Sequence, residues 1–319
     1  MGILGPTGVG KTRVAAELAA KLGTRIVSCD SMQVYAGFPV LTNQPRGEGE
    51  GEGVHEVVGI VDPSRSFSVG DYAAIARPLV AEEVERHGVA LVVGGSGLYL
   101  RAAVAPLAAH GFVDPAQRRR LEERAQKEGG ESLHAELARL DPQAANSIDA
   151  RNLRRVIRAL EVVLASGQSW SGRSDLWAPA YDYRTFVVGL VTDRAVLAGR
   201  ILERSERMMA MGAVEEVARF RRERGKDSTR PGNAGICSAI GYGEISDLLD
   251  GEQSPEQTVE RIASATRQYA RRQVTWLRKV KDAVMIDVRE REAGDVAREI
   301  LEAMARNEAA GGMQTNAAG

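Results

Sequence analysis

Gly5-Pro6-Thr7-Gly8-Val9-Gly10-Lys11-Thr12 is the stretch that decides how this chain folds. It matches G-x-x-x-x-G-K-[ST] and stands between a short apolar run, Gly2 to Gly5, and a segment in which Val14, Leu18 and Leu22 share one helical face. Strand, glycine-rich turn and helix in that order make an anion site. The glycines let backbone N–H groups converge on phosphate oxygens, and the helix N-terminus adds positive potential. Lys11 supplies a charge, and the Thr12 hydroxyl is a ligand of the kind Mg²⁺ takes beside a phosphate. The motif does not say which phosphate compound binds.

Reading outward, Arg25 to Ser28 forms a second strand candidate that leads into Cys29-Asp30-Ser31-Met32-Gln33, at the strand end where open α/β sheets place ligands. Pro45 to Gly53 is a Gly/Glu low-complexity run that reads as a mobile loop. A strand is predicted over His55 to Val61, and Ser68 with Asp71 forms an acidic capping box for a helix reaching about Arg86. Val89 to Val93 has the continuous apolar character of a buried parallel strand. A kinase or ATPase carries a magnesium-binding Asp at the end of such a strand. Here Gly94-Gly95-Ser96-Gly97 follows instead, either a simple tight turn or one that offers the Ser96 hydroxyl to a diphosphate oxygen.

From Asp114 to Gly167 strand signals vanish, and helices are predicted over Asp114 to Glu128, Glu131 to Leu140 and Arg151 to Ser166. Thr185 to Val191 restores a strand, followed by helices over Arg194 to Met211 and Val214 to Arg224. After a loop from Gly225 to Gly235 come a helix through Leu249, a long helix from about Pro255 to Lys281, a strand over Ala283 to Val288 and a terminal helix to Arg306. The predicted fold is therefore α/β: a P-loop NTPase-like parallel sheet flanked by helices, over residues 1–111 and 183–307. An all-helical subdomain is inserted over residues 112–182, and a disordered tail is expected over residues 308–319.

Composition narrows the chemistry. Two cysteines, Cys29 and Cys237, and four scattered histidines are too few for a disulfide framework or a four-ligand zinc site. No basic leader precedes the first strand and no window is apolar for the length of a bilayer, so a cytoplasmic protein without membrane contact is expected. With 42 basic and 43 acidic residues the net charge is −1, so any nucleic-acid surface must arise from local segregation of charge. Two segments show it. Arg151, Arg154, Arg155 and Arg158 recur at helical spacing with Val156, Leu160 and Val163 left for the other side. Between Arg261 and Lys281 there are seven basic residues and no acid, with Arg267, Arg271 and Arg278 on one face. A basic helix face is often merely solvated; two in a nearly neutral protein favour a phosphate backbone as partner.

Taken together, these strings resemble one family. GPTGVGKT over residues 5–12, then Asp30 to Tyr35, Gly94 to Tyr99, Arg154 to Val162, Arg200 to Val217, Ala239 to Tyr242 and Thr266 to Gln273 are similar, in the same order, to the motifs of tRNA dimethylallyltransferases. The resemblance implies that Gly5, Pro6, Thr7, Gly8, Val9, Gly10, Lys11 and Thr12 hold dimethylallyl diphosphate, with Mg²⁺ on Thr12. It implies a helical insertion that grips a tRNA anticodon stem-loop while an adenine is flipped into the site; a monomer is expected, though the sequence does not fix the oligomeric state. Asp30 matches the general base, and Lys11, Ser96 and Arg204 match groups that stabilise the leaving diphosphate. Asp30, Ser31, Met32, Gln33, Ser96, Arg118, Arg154, Arg155, Val156, Ile157 and Arg158 are implied to touch the RNA, and Arg267 and Arg271 join them on charge. Ser96 stands where many members carry Thr, Cys237 and Ser238 where Arg and Gln are common, and Leu41 to Pro45 also departs. Three other readings stay open: an adenylate isopentenyltransferase using free nucleotide, a small-molecule kinase, and a non-catalytic RNA-binding protein.

Overall fold

The structure is a computed structural model and describes residues 1–45, 54–105, 114–167, 169–170, 181–225, 229, 235–280 and 282–315. The expected mobile loop lies almost wholly outside them. Two compact units emerge, Met1–Ala105 with Tyr181–Gly319, and Pro106–Ala180. The return to the first unit falls at Tyr181 rather than Tyr183, because the Asp182 N–H donates to Val104 O at 2.9 Å and Arg101 lies over the Tyr181 ring.

The first unit is built on a parallel sheet of β1 (Gly2–Leu4), β2 (Ile26–Ser28), β3 (His55–Glu56), β4 (Leu91–Gly94), β5 (Val187–Val191) and β6 (Val284–Asp287), in the order β3-β2-β4-β1-β5-β6. Short apolar runs suit strands covered on both faces. Ile3, Ile26, Leu91, Val188 and Leu190 form one core with Val14 and Leu18 of α1 (Lys11–Leu22) and Ile300 of α12 (Ala293–Thr315). Further helices are α2 (Val69–His87), α3 (Gly97–Val104), α8 (Arg194–Ala210), α9 (Ala213–Arg224), α10 (Tyr242–Leu249) and α11 (Pro255–Leu277). Ser68 and Asp71 form the predicted capping box of α2. No helix among the described residues is long and apolar enough to cross a membrane.

Several elements depart from the sequence expectation. The strand predicted to Val61 stops at Glu56, because Val57 and Gly59 adopt positive φ, and pairing returns only as a bridge between Tyr35 and Val61. The helix predicted through Leu249 is split, a 3-10 turn over Gly235–Ser238 being separated from α10 by Gly241 at φ 97°. α3 was not foreseen. At the C-terminus, α12 runs to Thr315, well into the region expected to be disordered; residues 316–319 lie outside the described set.

The second unit contains α4 (Pro115–Glu128), α5 (Gly130–Leu140), α6 (Pro142–Ser147) and α7 (Leu153–Ser166) around Leu121, Leu133, Leu137, Val156, Leu160 and Val163. Val156 at 0% and Ile157 at 4% exposure belong to this core, which corrects their assignment as RNA contacts: the apolar face of α7 is spent on packing. Glu161, at 1% exposure, is held by Arg158 at 3.1 Å and Arg118 at 3.5 Å. Those two guanidinium groups thus serve a buried carboxylate. Arg158→Ala should destabilise the second unit by about 1–3 kcal/mol, the usual result of leaving a buried acceptor short of a partner. An unchanged urea midpoint would show that Arg118 alone suffices.

Candidate active site

In parallel register Leu4 pairs with Gly94 and Ser28 with Val93, so the loops leaving β1, β2 and β4 open on the same edge of the sheet. A cavity of about 540 Å³ lies there, lined among others by Thr7 to Val14, Asp30, Gln33, Arg200 and Arg204. The phosphate loop keeps its shape through Gly10, whose φ of 103° is open to glycine at little cost immediately before α1. Lys11 folds back so that Nζ donates to the carbonyls of Gly5 and Pro6, both at 2.9 Å. Burial pushes its pKa down to about 8, an effect opposed by the charge of Asp30 and reinforced by Arg204. Arg204 is reached across the fold from α8, and its Nη1 donates to Thr7 Oγ1 at 2.7 Å. Desolvation also lowers the Arg204 pKa, and Asp30 again opposes the shift. Two cations and one carboxylate therefore share a poorly hydrated site, where a diphosphate gains more from fixed charge than it would in water.

Asp30 is the second residue past the end of β2, and its Oδ1 accepts from Met32 N–H at 2.9 Å, which fixes the carboxylate at the cavity wall. Gln33 lines the same wall, held by donation from Ser28 Oγ at 3.2 Å and by its own donation to Asn43 O at 2.8 Å. Ser31 and Met32 are half-buried turn residues and do not line the cavity. Nor does Ser96, whose Oγ accepts from Tyr99 N–H at 3.4 Å as the N-cap of α3. The hydroxyl's immediate work is thus to satisfy a helix terminus, with its proton still available to donate. The Gly94-Gly95-Ser96-Gly97 turn is shaped by close approach. A Cβ on Gly94 would stand 2.5 Å from the Cys29 backbone, and one on Gly97 would overlap the ring of Trp276. Strand β4 accordingly ends in bare backbone, with no carboxylate of the kinase type.

Sequence reading missed three participants. Arg200 and Arg207 line the cavity beside Arg204, each about one helical turn from it, a spacing that was present in the sequence. Gln273 of α11 takes the Thr7 N–H at 2.8 Å; it closes the Thr266 to Gln273 motif, but nothing local assigned it this contact. Thr12 is exposed at the start of α1 and lines the cavity. On α11, Arg267 is half-buried, while Arg271 and Arg272 are exposed. In the second unit Arg151 pairs with Asp149, which leaves Arg154 and Arg155 as the exposed arginines of α7 without an ion pair among the described residues.

Parallel order, a glycine-rich loop opening on a helix and a cationic cavity at the strand ends define a P-loop α/β protein with an anion site. Residues 33–280 match the family model described as IPP transferase. The chain belongs to that family. It is 40% identical over 278 residues, 86% of each chain, to a tRNA dimethylallyltransferase of Bacillus velezensis. Over 291 residues, 90% of each chain, it is 36% identical to the protein of the same name from Bacillus subtilis. The crystal structure of a tRNA isopentenylpyrophosphate transferase from Bacillus halodurans superposes with a TM-score of 0.66 at 33% identity, covering 96% of this chain and 98% of the other. A eukaryotic dimethylallyltransferase acting on tRNA gives a TM-score of 0.78 at 25% identity, covering 96% of this chain and 76% of that one.

Proposed function

We propose that this chain transfers the dimethylallyl group of dimethylallyl diphosphate to the N6 amine of adenine at position 37 of tRNA, beside the anticodon. The observation that carries the reading is the convergence of Asp30, Lys11 and Arg204 on one cavity at the phosphate loop. In the reaction the N6 nitrogen bonds to the allylic carbon as the bond from that carbon to the diphosphate oxygen breaks. Asp30 takes the N6 proton, and the leaving diphosphate departs with both bonding electrons. Lys11, Arg204 and the loop N–H groups stabilise the charge that develops on it. Mg²⁺ would suit this site: the Thr12 hydroxyl, which lines the cavity, would hold the ion as one hard oxygen beside the diphosphate. The ion, when bound, would offset diphosphate charge.

The RNA is proposed to be held through its phosphates by Arg154 and Arg155 of the second unit and by Arg267 and Arg271 of α11. Removing Arg154 or Arg155 should lower the slope of log affinity against log salt by about one each, with the rate at saturating tRNA within a few-fold of normal. A salt series on an anticodon stem-loop measures it, and an unchanged slope in both variants would reduce that face to a solvated one. The function itself is tested by offering labelled dimethylallyl diphosphate with tRNA, with AMP, and with a stem-loop carrying guanine for the target adenine. Label should enter the first alone. Transfer to AMP would favour the free-nucleotide reading, and failure with all three acceptors would overturn the assignment.

A further inference from the structure

Among the side chains around the cavity, Gln273 bridges two turns that sequence holds far apart. Its Oε1 accepts from Thr7 N–H of the phosphate loop at 2.8 Å, and its Nε2 donates to Gly95 O of the turn after β4 at 3.2 Å. The residue is 7% exposed, and a Cβ on Gly95 would overlap its amide nitrogen, so the glycine exists at this spot to admit it. Thr7 is thereby fixed from two helices, its N–H by α11 and its hydroxyl by Arg204 of α8. The Gln273 side chain also hydrogen-bonds Tyr269, one turn earlier on α11, whose hydroxyl pKa is pushed up to about 12 by burial and by the charge of Asp30.

We propose that Gln273 is a positioning residue for diphosphate: by holding Thr7 and Gly95 at a fixed separation it sets the aim of the loop N–H groups from Gly8 to Thr12. An amide is needed because one contact asks for an acceptor and the other for a donor. Glutamate supplies the acceptor but, when ionised, meets the Gly95 carbonyl with a second acceptor; methionine supplies neither strong group. Holding donors in place ahead of binding removes ordering cost from the bound state, which is where the affinity arises. The proposal rests on the reading of the loop as the diphosphate site.

The test measures inorganic diphosphate binding by calorimetry, and KM for dimethylallyl diphosphate and for tRNA separately, in wild type, Gln273→Met and Gln273→Glu. Gln273→Met should weaken diphosphate about tenfold, the scale of one or two lost hydrogen bonds, and raise KM for the prenyl substrate alike. KM for tRNA should stay within about twofold. A merely structural residue would lower the folded fraction and leave both constants of the surviving enzyme unchanged. Gln273→Glu should lose more affinity at pH 8 than at pH 5.5 relative to wild type at the same pH, because burial opposite the Gly95 carbonyl raises its carboxyl pKa and the protonated form again offers a donor and an acceptor. Its recovery is readable even if Gln273→Met fails to fold. Wild-type diphosphate affinity in both variants, or an equal loss for both substrates, overturns the proposal; absence of diphosphate binding by the wild-type protein overturns the reading of the loop with it.

Discussion

Asp30→Asn should slow transfer at saturating substrates by roughly 10²- to 10⁴-fold while leaving the affinity for tRNA close to normal, because a general base contributes on that scale. Asparagine is the informative replacement. Its carbonyl oxygen still accepts from Met32 N–H, so the turn that holds the side chain at the cavity wall persists and only charge and basicity are lost. The variant carries a second signature. The Asp30 carboxylate opposes the lowering of the Lys11 pKa, so its removal moves that pKa further down. A pH profile of the single-turnover rate separates the two effects, since a lower Lys11 pKa moves the basic limb to lower pH while loss of the base lowers the rate throughout. Turnover within a few-fold of wild type would remove Asp30 from the reaction.

Lys11→Ala should cost roughly 10²- to 10³-fold in kcat, as loss of a fixed donor to a developing oxyanion does, and should weaken dimethylallyl diphosphate binding as well. The wild-type enzyme offers a milder version of the same experiment through pH. The Lys11 pKa is lowered to about 8, so in the empty enzyme the ammonium is present below that value and lost above it. Hence kcat/KM for the prenyl substrate should fall about tenfold per unit as pH rises beyond about 8. Bound diphosphate adds negative charge beside the amine and raises its pKa, so kcat should hold to higher pH than kcat/KM does. In Lys11→Ala this basic limb should disappear. An effect confined to tRNA affinity would place the lysine elsewhere in the mechanism.

The parts of the site that were legible in the sequence are those encoded by local stereochemistry. Gly10 before Lys11 requires a backbone that glycine enters readily, and α1 begins where the motif ends. Asp30 was readable because a short apolar strand places its following residues at a predictable edge of the sheet. Gln273 was not, since its partners are 266 and 178 residues away and nothing in its neighbours encodes them. The arginines of α7 show another limit. Helical spacing separated Val156 and Leu160 from the basic side, yet only packing revealed that Arg158 is turned toward Glu161. Ser96 is a third case, a hydroxyl whose type was read as chemistry while its geometry serves a helix end first.

The strand order has a kinetic corollary during synthesis. β1 pairs with β4 on one side and with β5 on the other, and β5 follows the end of α3 only after about 80 intervening residues. At ribosomal speeds of about 5–20 residues per second, the second edge of β1 waits roughly 4 to 16 seconds for its partner. Over that interval a nascent half-sheet of β1, β2 and β4 presents an unpaired apolar border to its surroundings, the kind of edge that recruits other chains. The inserted helices, rich in local contacts, form quickly once they emerge. Slow passage through the insertion therefore prolongs exposure of that border, and codon choice across residues 106–180 becomes a determinant of soluble yield, independent of any change in the finished protein.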